Sequence, residues 1–372
     1  MNTASLGMLP FYCPLESAVH PGLREAERRA VDWIDRLGFC PTEAERRAVL
    51  ASHSADFYAR FAPEADPERL WITACWVYWG FAFDDARCDE GELSSDPARF
   101  AAMAGRVQRA LEVPGPYPCA DRYAAAAHDL GELFRGCATP LQVGRFVRAH
   151  RGWLSGVQWQ VGNAARGRLP DLDEYIVMRL HSAGGEPTYA MLEIANGAEV
   201  PAREMDTLAV TALTEMAVFV AAMDNDRHSF AKERNRGQTD QNFLSVLRQR
   251  HGLTPEQALY EGVALRDRVL CRFLAVRERV LRRGSQELRR YLTDLGHGIR
   301  GNIEWGLRVP RYLARSGGPG DGPGGGPAGT ASRTTADDWA ERPLDGSAGP
   351  PVLAPSIAWW WDDSLLRPDR PW

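Results

Sequence analysis

Apolar positions recur along this chain with the three-to-four-residue period of helices rather than the two-residue alternation of strands. After His20-Pro21-Gly22, residues Leu23, Ala26, Ala30, Trp33, Ile34 and Leu37 form one helical stripe, and Gly38 is a stop. Thr42, with Glu45 three residues on, reads as the capping box of a second helix. Asp66-Pro67-Glu68 opens a segment from Leu70 to Phe83 that is apolar on every side and so belongs inside a bundle. It runs into Asp84-Asp85-Ala86-Arg87-Cys88-Asp89-Glu90. Asp96-Pro97 starts another helix, up to the Val113-Pro114-Gly115-Pro116 break, and a further one covers 120–136. Thr139-Pro140 begins a long helix through Trp153, Val157 and Val161 to near Gly167. Pro170-Asp171 begins one through Tyr175 and Arg179 to Gly184-Gly185, and the next runs from Pro187 to Gly197.

From near Asp206 a helix carries the apolar run Met216–Met223 into Asp224-Asn225-Asp226-Arg227-His228-Ser229-Phe230-Ala231-Lys232-Glu233. Thr254-Pro255-Glu256-Gln257 is a helix start, and the last helix, 286–314, includes Trp305, Arg311 and Tyr312. No strand pattern and no internal repeat stands out. The expectation is an all-α, single-domain bundle of about ten helices around a central apolar cavity. It covers 21–315, after a Pro-containing N-terminal strap over 1–20. The Gly/Pro-rich run from Ser316 cannot build a core, so 316–372 is expected to be a disordered tail. Its Trp359-Trp360-Trp361 cluster is then a sticky end; the sharper alternative is that it docks on the body, on a partner chain or near the cavity mouth.

Composition narrows the function. With 372 residues, 44% of them hydrophobic, a sizeable core is possible. The net charge of −5 and the lack of a basic cluster argue against a nucleic-acid partner. The seven cysteines include no C-x-x-C pair and read as reduced thiols rather than disulfides or a zinc site. No signal peptide and no bilayer-long apolar run is apparent, so the expectation is a cytoplasmic protein with no membrane partner. Lys232 is the only lysine, which makes its place in the polar stretch conspicuous.

Asn225, Ser229 and Glu233 are spaced by four, so a helix presents them on one face. An amide oxygen, a hydroxyl and a carboxylate suit Mg²⁺, with water and substrate phosphate completing the octahedron. The plain alternative is a buried helix surfacing into solvent. The second acidic stretch ends an all-apolar helix, where carboxylates oppose the helix dipole unless a cation compensates. On helical spacing Asp85 and Asp89 share a face, and Asp84 shares its face with Cys88, a poor magnesium ligand. Two such faces imply a strongly anionic ligand such as diphosphate. Arg179, Lys232, Arg311 and Tyr312 are candidate donors to its oxygens. Tyr78 and Phe81 precede the aspartates at helical spacing; with Trp305 they are candidate cavity walls able to stabilise a cation.

Together these residues resemble the bacterial class I terpene synthases over about 9–314. The Asp84-Asp85 stretch looks like the family's aspartate-rich motif. Asn225-Asp226-x-x-Ser229-x-x-Lys232-Glu233 resembles its second metal motif. Arg179, 46 residues before Asn225, resembles its diphosphate-sensing arginine, and Arg311-Tyr312 its C-terminal pair. One departure is Cys88, which stands where the common form has its third acid; Asp89 follows one residue later, a spacing also found in 2-methylisoborneol-type relatives. The resemblance implies a helical bundle of the class I terpenoid synthase type. It also implies a Mg²⁺ cluster on Asp84, Asp85, Asp89, Asn225, Ser229 and Glu233, and a small-residue hinge at Ser182-Ala183-Gly184 whose carbonyl helps trigger ionisation. The substrate it implies is a linear prenyl diphosphate, cyclised after loss of diphosphate. Asp84, Arg179, Phe81 and Trp305 would be the residues nearest the chemistry. Gly80 and Ala82 are small where farnesyl-using relatives carry bulkier residues, which places geranylgeranyl ahead of farnesyl, then geranyl or methylated geranyl diphosphate. A homodimer is compatible with the resemblance. The rivals are a prenyltransferase, which would carry two Asp-rich motifs, and a non-catalytic helical binding protein.

Overall fold

A computed structural model describes residues 9–89, 91–236, 241–312 and 336–366, except the side chains of Asp89, residues 230–236 and Ala336. Fourteen α-helices are described: α1 (Leu23–Leu37), α2 (Glu43–Leu50), α3 (Ser54–Phe61), α4 (Pro67–Phe83), α5 (Pro97–Glu112), α6 (Arg122–Cys137), α7 (Pro140–Ala165), α8 (Leu172–Ser182), α9 (Gly185–Asn196), α10 (Ala202–Met205), α11 (Leu208–Arg236), α12 (Phe243–His251), α13 (Pro255–Leu281) and α14 (Gln286–Gly306). The fold is all-α, as expected.

Local chemistry explains most helix starts. Thr42 accepts from the Glu45 amide and Asp66 from the Glu68 amide, each filling an orphan donor of the first turn. Thr139 with Gln142, Asp171 with Glu174 and Thr254 with Gln257 form reciprocal capping boxes.

Three helices were not anticipated: α3, the four-residue α10 and α12. In α3 only Asp56 escapes full burial, so the helix shows no polar stripe to read. In α12 burial runs through Phe243–Leu247 and then stops, again without a helical period. The last helix was expected to reach 314 but ends at Gly306. Pro310 cannot donate to a helical ladder and disfavours helix at Val309, so Arg311 and Tyr312 lie in the turn beyond.

Helix α11 runs through the middle, against α9, α13 and α14. Leu208–Ser229 is long and apolar enough to cross a membrane, but it is the central helix of this bundle. Asp224 at its heart is fully buried, where Arg266 of α13 grips both its carboxylate oxygens. Helix α7 crosses α8 with backbone almost touching: a Cβ on Gly156 would lie 2.6 Å from the Ser182 amide nitrogen.

The chain ends depart most from expectation. Phe11–Tyr12 (β1) pairs in parallel with Trp339–Ala340 (β2), Phe11 opposite Trp339. Residues 336–366, expected to be part of a loose tail, pack on the body. Trp360 is fully buried; its indole N–H donates to Glu215 of α11 at 2.8 Å, and its carbonyl accepts from Arg272 of α13 at 2.7 Å. Ser356 donates to Asp173 of α8 through both its amide and its hydroxyl. The tryptophan cluster is therefore a dock, because three helices supply partners for it. Residues 313–335 lie outside the described residues.

Candidate active site

Helix α4 delivers the acidic stretch, but not as an α-helix. Asp84–Asp89 is a π-helix, closed by i→i+5 rather than i→i+4 bonds. The wider turn relaxes the exact α-spacing expected between the acids, and the Asp89 side chain lies outside the described residues. Asp84 and Cys88 both line the central cavity; Glu90 lies outside the described residues.

Asp85, an expected metal ligand, is paired with an arginine in this structure. Its two oxygens take both terminal nitrogens of Arg311, one of them at 2.8 Å, in a bidentate pair. The Arg311 guanidinium lies 4.9 Å over the Phe81 ring. Burial draws the Arg311 pKa down, but Asp85, with Tyr312 and Asp84, more than offsets this and holds it above the usual arginine value. Asp85 thus acts as the anchor of a cation at the cavity wall.

Opposite, α11 and α8 meet through charge. Arg179 donates from Nε and a terminal nitrogen to Asp226, at 3.0 and 2.8 Å, and to the Asn225 side-chain oxygen at 3.1 Å. Asp226 also accepts from the Tyr175 hydroxyl and the Phe243 amide. Burial pushes its pKa up, and Arg179 and Tyr175 work against that. The Asn225 amide nitrogen donates to the Tyr312 hydroxyl at 2.7 Å. One amide therefore links the expected sensing arginine to the C-terminal Arg-Tyr pair. Ser229 follows one turn on, buried and lining the cavity. Residues 232 and 233 continue the helix, but the Lys232 and Glu233 side chains lie outside the described residues.

These groups close one end of a cavity of about 440 Å³. Aromatic rings line much of the remaining wall: Phe57, Phe61, Trp76 and Trp153, with Phe81 and Trp305 reaching the Arg311-Tyr312 pair. Phe81 stacks on Trp305 at 5.4 Å, and the Trp305 indole is pinned by the Ser52 carbonyl. Ser182, Ala183 and Gly184 form part of the wall, where Gly184 (φ 72°) lets the chain turn from α8 into α9. The buried Ser182 hydroxyl has no hydrogen-bond partner among the described residues. Tyr78 faces the other way, donating to Glu27 of α1, and is not part of the lining. Ala82 is likewise outside it, its carbonyl accepting from Tyr123; Gly80 does line the cavity.

Sequence reasoning missed Asp226, which fixes Arg179, and the aromatics Phe57, Phe61, Trp76 and Trp153. Trp76 had a usable signal, being one helical turn before Gly80; Phe57 and Phe61 fall on the unanticipated α3.

The donor set fits a hard divalent cation. Asp84, Asn225 and Ser229 bring carboxylate, amide and hydroxyl oxygens to one end of the cavity. Among the described residues no three His, Cys, Asp or Glu side chains form a ready-made cage.

Comparison with known proteins points the same way. The family model described as terpene synthase family 2, C-terminal metal binding, matches residues 75–270. The chain is 54% identical over 368 residues to spiroviolene synthase of Streptomyces violens, covering 98% of this chain and 99% of that one. It is 35% identical over 354 residues to tsukubadiene synthase of Streptomyces tsukubensis, covering 95% and 98%. Among solved structures, the SVS_A2 protein from ancestral sequence reconstruction superposes with a TM-score of 0.85 at 56% identity, covering 96% of this chain and 100% of that one.

Proposed function

The chain belongs to the bacterial class I terpene synthases, metal-binding terpene cyclases, and from that premise we propose that it cyclises geranylgeranyl diphosphate in the presence of Mg²⁺ to a polycyclic diterpene. The observation that carries this reading is the lining of the cavity. Cationic and oxygen-donor groups joined by hydrogen bonds share the cavity with stacked aromatic rings, Phe81 and Trp305 lying where the two sets meet. Gly80 lines the cavity without a side chain, where a Cβ would reach contact with the Trp76 ring at 3.9 Å, and this supports the longer substrate. The 54% identity to spiroviolene synthase supports a related product skeleton.

Asp84, Asn225, Ser229 and Glu233 would hold Mg²⁺, with Asp89 a further candidate. Bound there, the metal supplies Lewis-acid neutralisation of the diphosphate leaving group. Arg179, Lys232, Arg311 and the Tyr312 hydroxyl hydrogen-bond the diphosphate oxygens. Asp226 and Asp85 keep the two arginines oriented, so little reorganisation is needed when charge develops on the leaving group. The allylic C–O bond breaks, leaving diphosphate and an allylic cation. The rings of Phe81 and Trp305, backed by Phe57, face that cation and stabilise it. Phe61, Trp76 and Trp153 fold the chain and exclude water that would quench it early. Carbon–carbon π-bonds attack intramolecularly, and loss of a proton, for which the departed diphosphate is the nearest strong acceptor, ends the reaction.

The test is incubation with C10, C15 and C20 prenyl diphosphates, with Mg²⁺ or with chelator, and identification of products by mass spectrometry and NMR. Cyclic C20 hydrocarbon formed only with Mg²⁺ is expected. Cyclisation of the C15 substrate with the C20 substrate untouched would overturn the chain-length assignment. No diphosphate release from any of the three would overturn the function.

A further inference from the structure

The Tyr312 ring is backed by a column of rings that the proposed chemistry does not itself use. His228 stacks on it, with ring centres 5.9 Å apart and planes 13° from parallel. Phe11 stacks on His228 in turn, at 5.2 Å and 25°. Both Phe11 and His228 are buried, and the His228 Nε2 makes no hydrogen bond among the described residues. Packing, not a polar partner, holds that nitrogen's side of the ring. The space is shaped for it: the Cβ that Gly306 lacks would collide with the His228 ring.

Phe11 is fixed from several sides. The Arg227 guanidinium lies 3.7 Å from its ring centre, and Arg227 also donates to the Leu9 carbonyl at 2.6 Å. Arg266 donates to the Tyr12 carbonyl, and Arg300 to the Cys13 carbonyl at 3.0 Å. The β2 strand pairs alongside, and its Trp339 lies beneath the Arg300 guanidinium at 3.4 Å. At the other end of the column the Tyr312 hydroxyl meets Asn225. A contact path of three stacked rings thus joins the strap to the amide that also holds Arg179.

We propose that Phe11 and His228 are positioning residues for the diphosphate site: Phe11 holds the His228 ring, and His228 backs Tyr312 so that its hydroxyl stays on Asn225. The inference rests on the functional reading above, in which Tyr312 and Asn225 serve the diphosphate.

The experiment measures binding of inorganic diphosphate with Mg²⁺ by titration calorimetry, and the partition of products from the C20 substrate. Phe11→Leu and His228→Leu keep apolar bulk but remove a stacking face; His228→Phe restores one. Each leucine variant is expected to bind diphosphate about three- to tenfold more weakly, the size of one lost aromatic contact. Each should also shift products toward acyclic or early-quenched species, while His228→Phe retains the wild-type pattern. If the column acts through Tyr312, Phe11→Leu added to Tyr312→Phe causes little further loss of binding. Full additivity of those two changes would overturn the proposal, as would wild-type diphosphate affinity in both leucine variants. A Phe11→Leu protein that melts early but binds and partitions like wild type when folded would also overturn it, since the ring would then serve stability alone. Wild-type protein that binds no diphosphate with Mg²⁺ overturns the functional reading and this inference with it.

Discussion

Gly156 gives the sharpest test of how the site is positioned. Its missing Cβ would lie 2.6 Å from both the His181 Cβ and the Ser182 amide nitrogen, whereas ordinary contact begins at 3.4 Å. Gly156→Ala must therefore push α8 away from α7 by about 0.8 Å (3.4 less 2.6), because backbone cannot step aside as a side-chain tip can. Overpacking of this kind costs about 1–3 kcal/mol. Alanine returns up to about 1 kcal/mol through its better helix propensity. The net is a loss of about 0–3 kcal/mol, and each kcal/mol lowers Tm by about 1–2 °C in a chain of 372 residues. Activity should suffer more than stability. The displaced segment carries Ser182 and, one turn earlier, Arg179. A shift near 1 Å in a positioning element costs on the order of 100-fold in rate. Gly162 lies on the same helix with nothing within 4 Å of its virtual Cβ, so Gly162→Ala serves as the control and should be neutral or mildly stabilising. Diphosphate release at saturating C20 substrate, beside thermal melts, reads both effects. If Gly156→Ala keeps kcat within about twofold of the Gly162→Ala control, the claim that the α7–α8 crossing sets the position of Arg179 is wrong.

Four further outcomes are expected. Asp84→Asn should lower kcat by about 100-fold or more, as for loss of a main electrostatic group. Asp85→Asn, which loosens Arg311, should instead raise KM by roughly tenfold; equal kcat losses in the two variants would return Asp85 to the metal site. Gly80→Leu fills the space beside Trp76 and should abolish C20 cyclisation while sparing C15 turnover, as read by mass spectrometry of products. The buried His150 has its pKa lowered to about 3 by desolvation. Its unfolded form takes up a proton below about pH 6.5 that the native form refuses, so stability is complete above that pH and lost as pH falls toward 3. The slope from this group is at most about 1.4 kcal/mol per pH unit. Asp294, raised to about 7 by burial, acts in the opposite sense over part of that range. Urea melts between pH 5 and 6.5 should therefore show a smaller pH slope in His150→Leu than in wild type, and an unchanged slope would refute the burial argument.

What the sequence disclosed followed how local each cause is. The caps at Asp66, Thr139, Asp171 and Thr254 act within one turn, so helix starts were legible. Helix α3 was not, because near-total burial erases the contrast that periodicity needs. Pro310 was an available stop signal that the reading to 314 passed over. The motif residues Asp84, Asn225, Ser229, Arg179 and Arg311-Tyr312 were named from spacing and resemblance, and they line one cavity. Their pairings were not legible. Arg311 with Asp85, and Arg179 with Asp226, join residues far apart in the chain, and no spacing rule selects such partners. The π-turn at Asp84–Asp89 was not legible either, since spacing was judged on α-helical geometry. The low-complexity run from Ser316 hid a docked segment beyond it, because composition averages over a stretch while docking depends on single residues such as Trp360.

The β1–β2 pair has a consequence for how the protein is made. It joins positions 11 and 339, which are 328 residues apart (339 less 11). Closing a bare loop of that length costs about 5 kcal/mol, more than a two-residue ladder returns. The pair therefore forms only once the intervening helices have shortened the path. At roughly 5–20 residues per second, the ribosome needs about 15–65 s after releasing Phe11 to supply Trp339. The Arg266 and Arg300 contacts that seat the strap also arrive late, from α13 and α14. Phe11 and Tyr12, made early, are thus among the last residues to reach their native place.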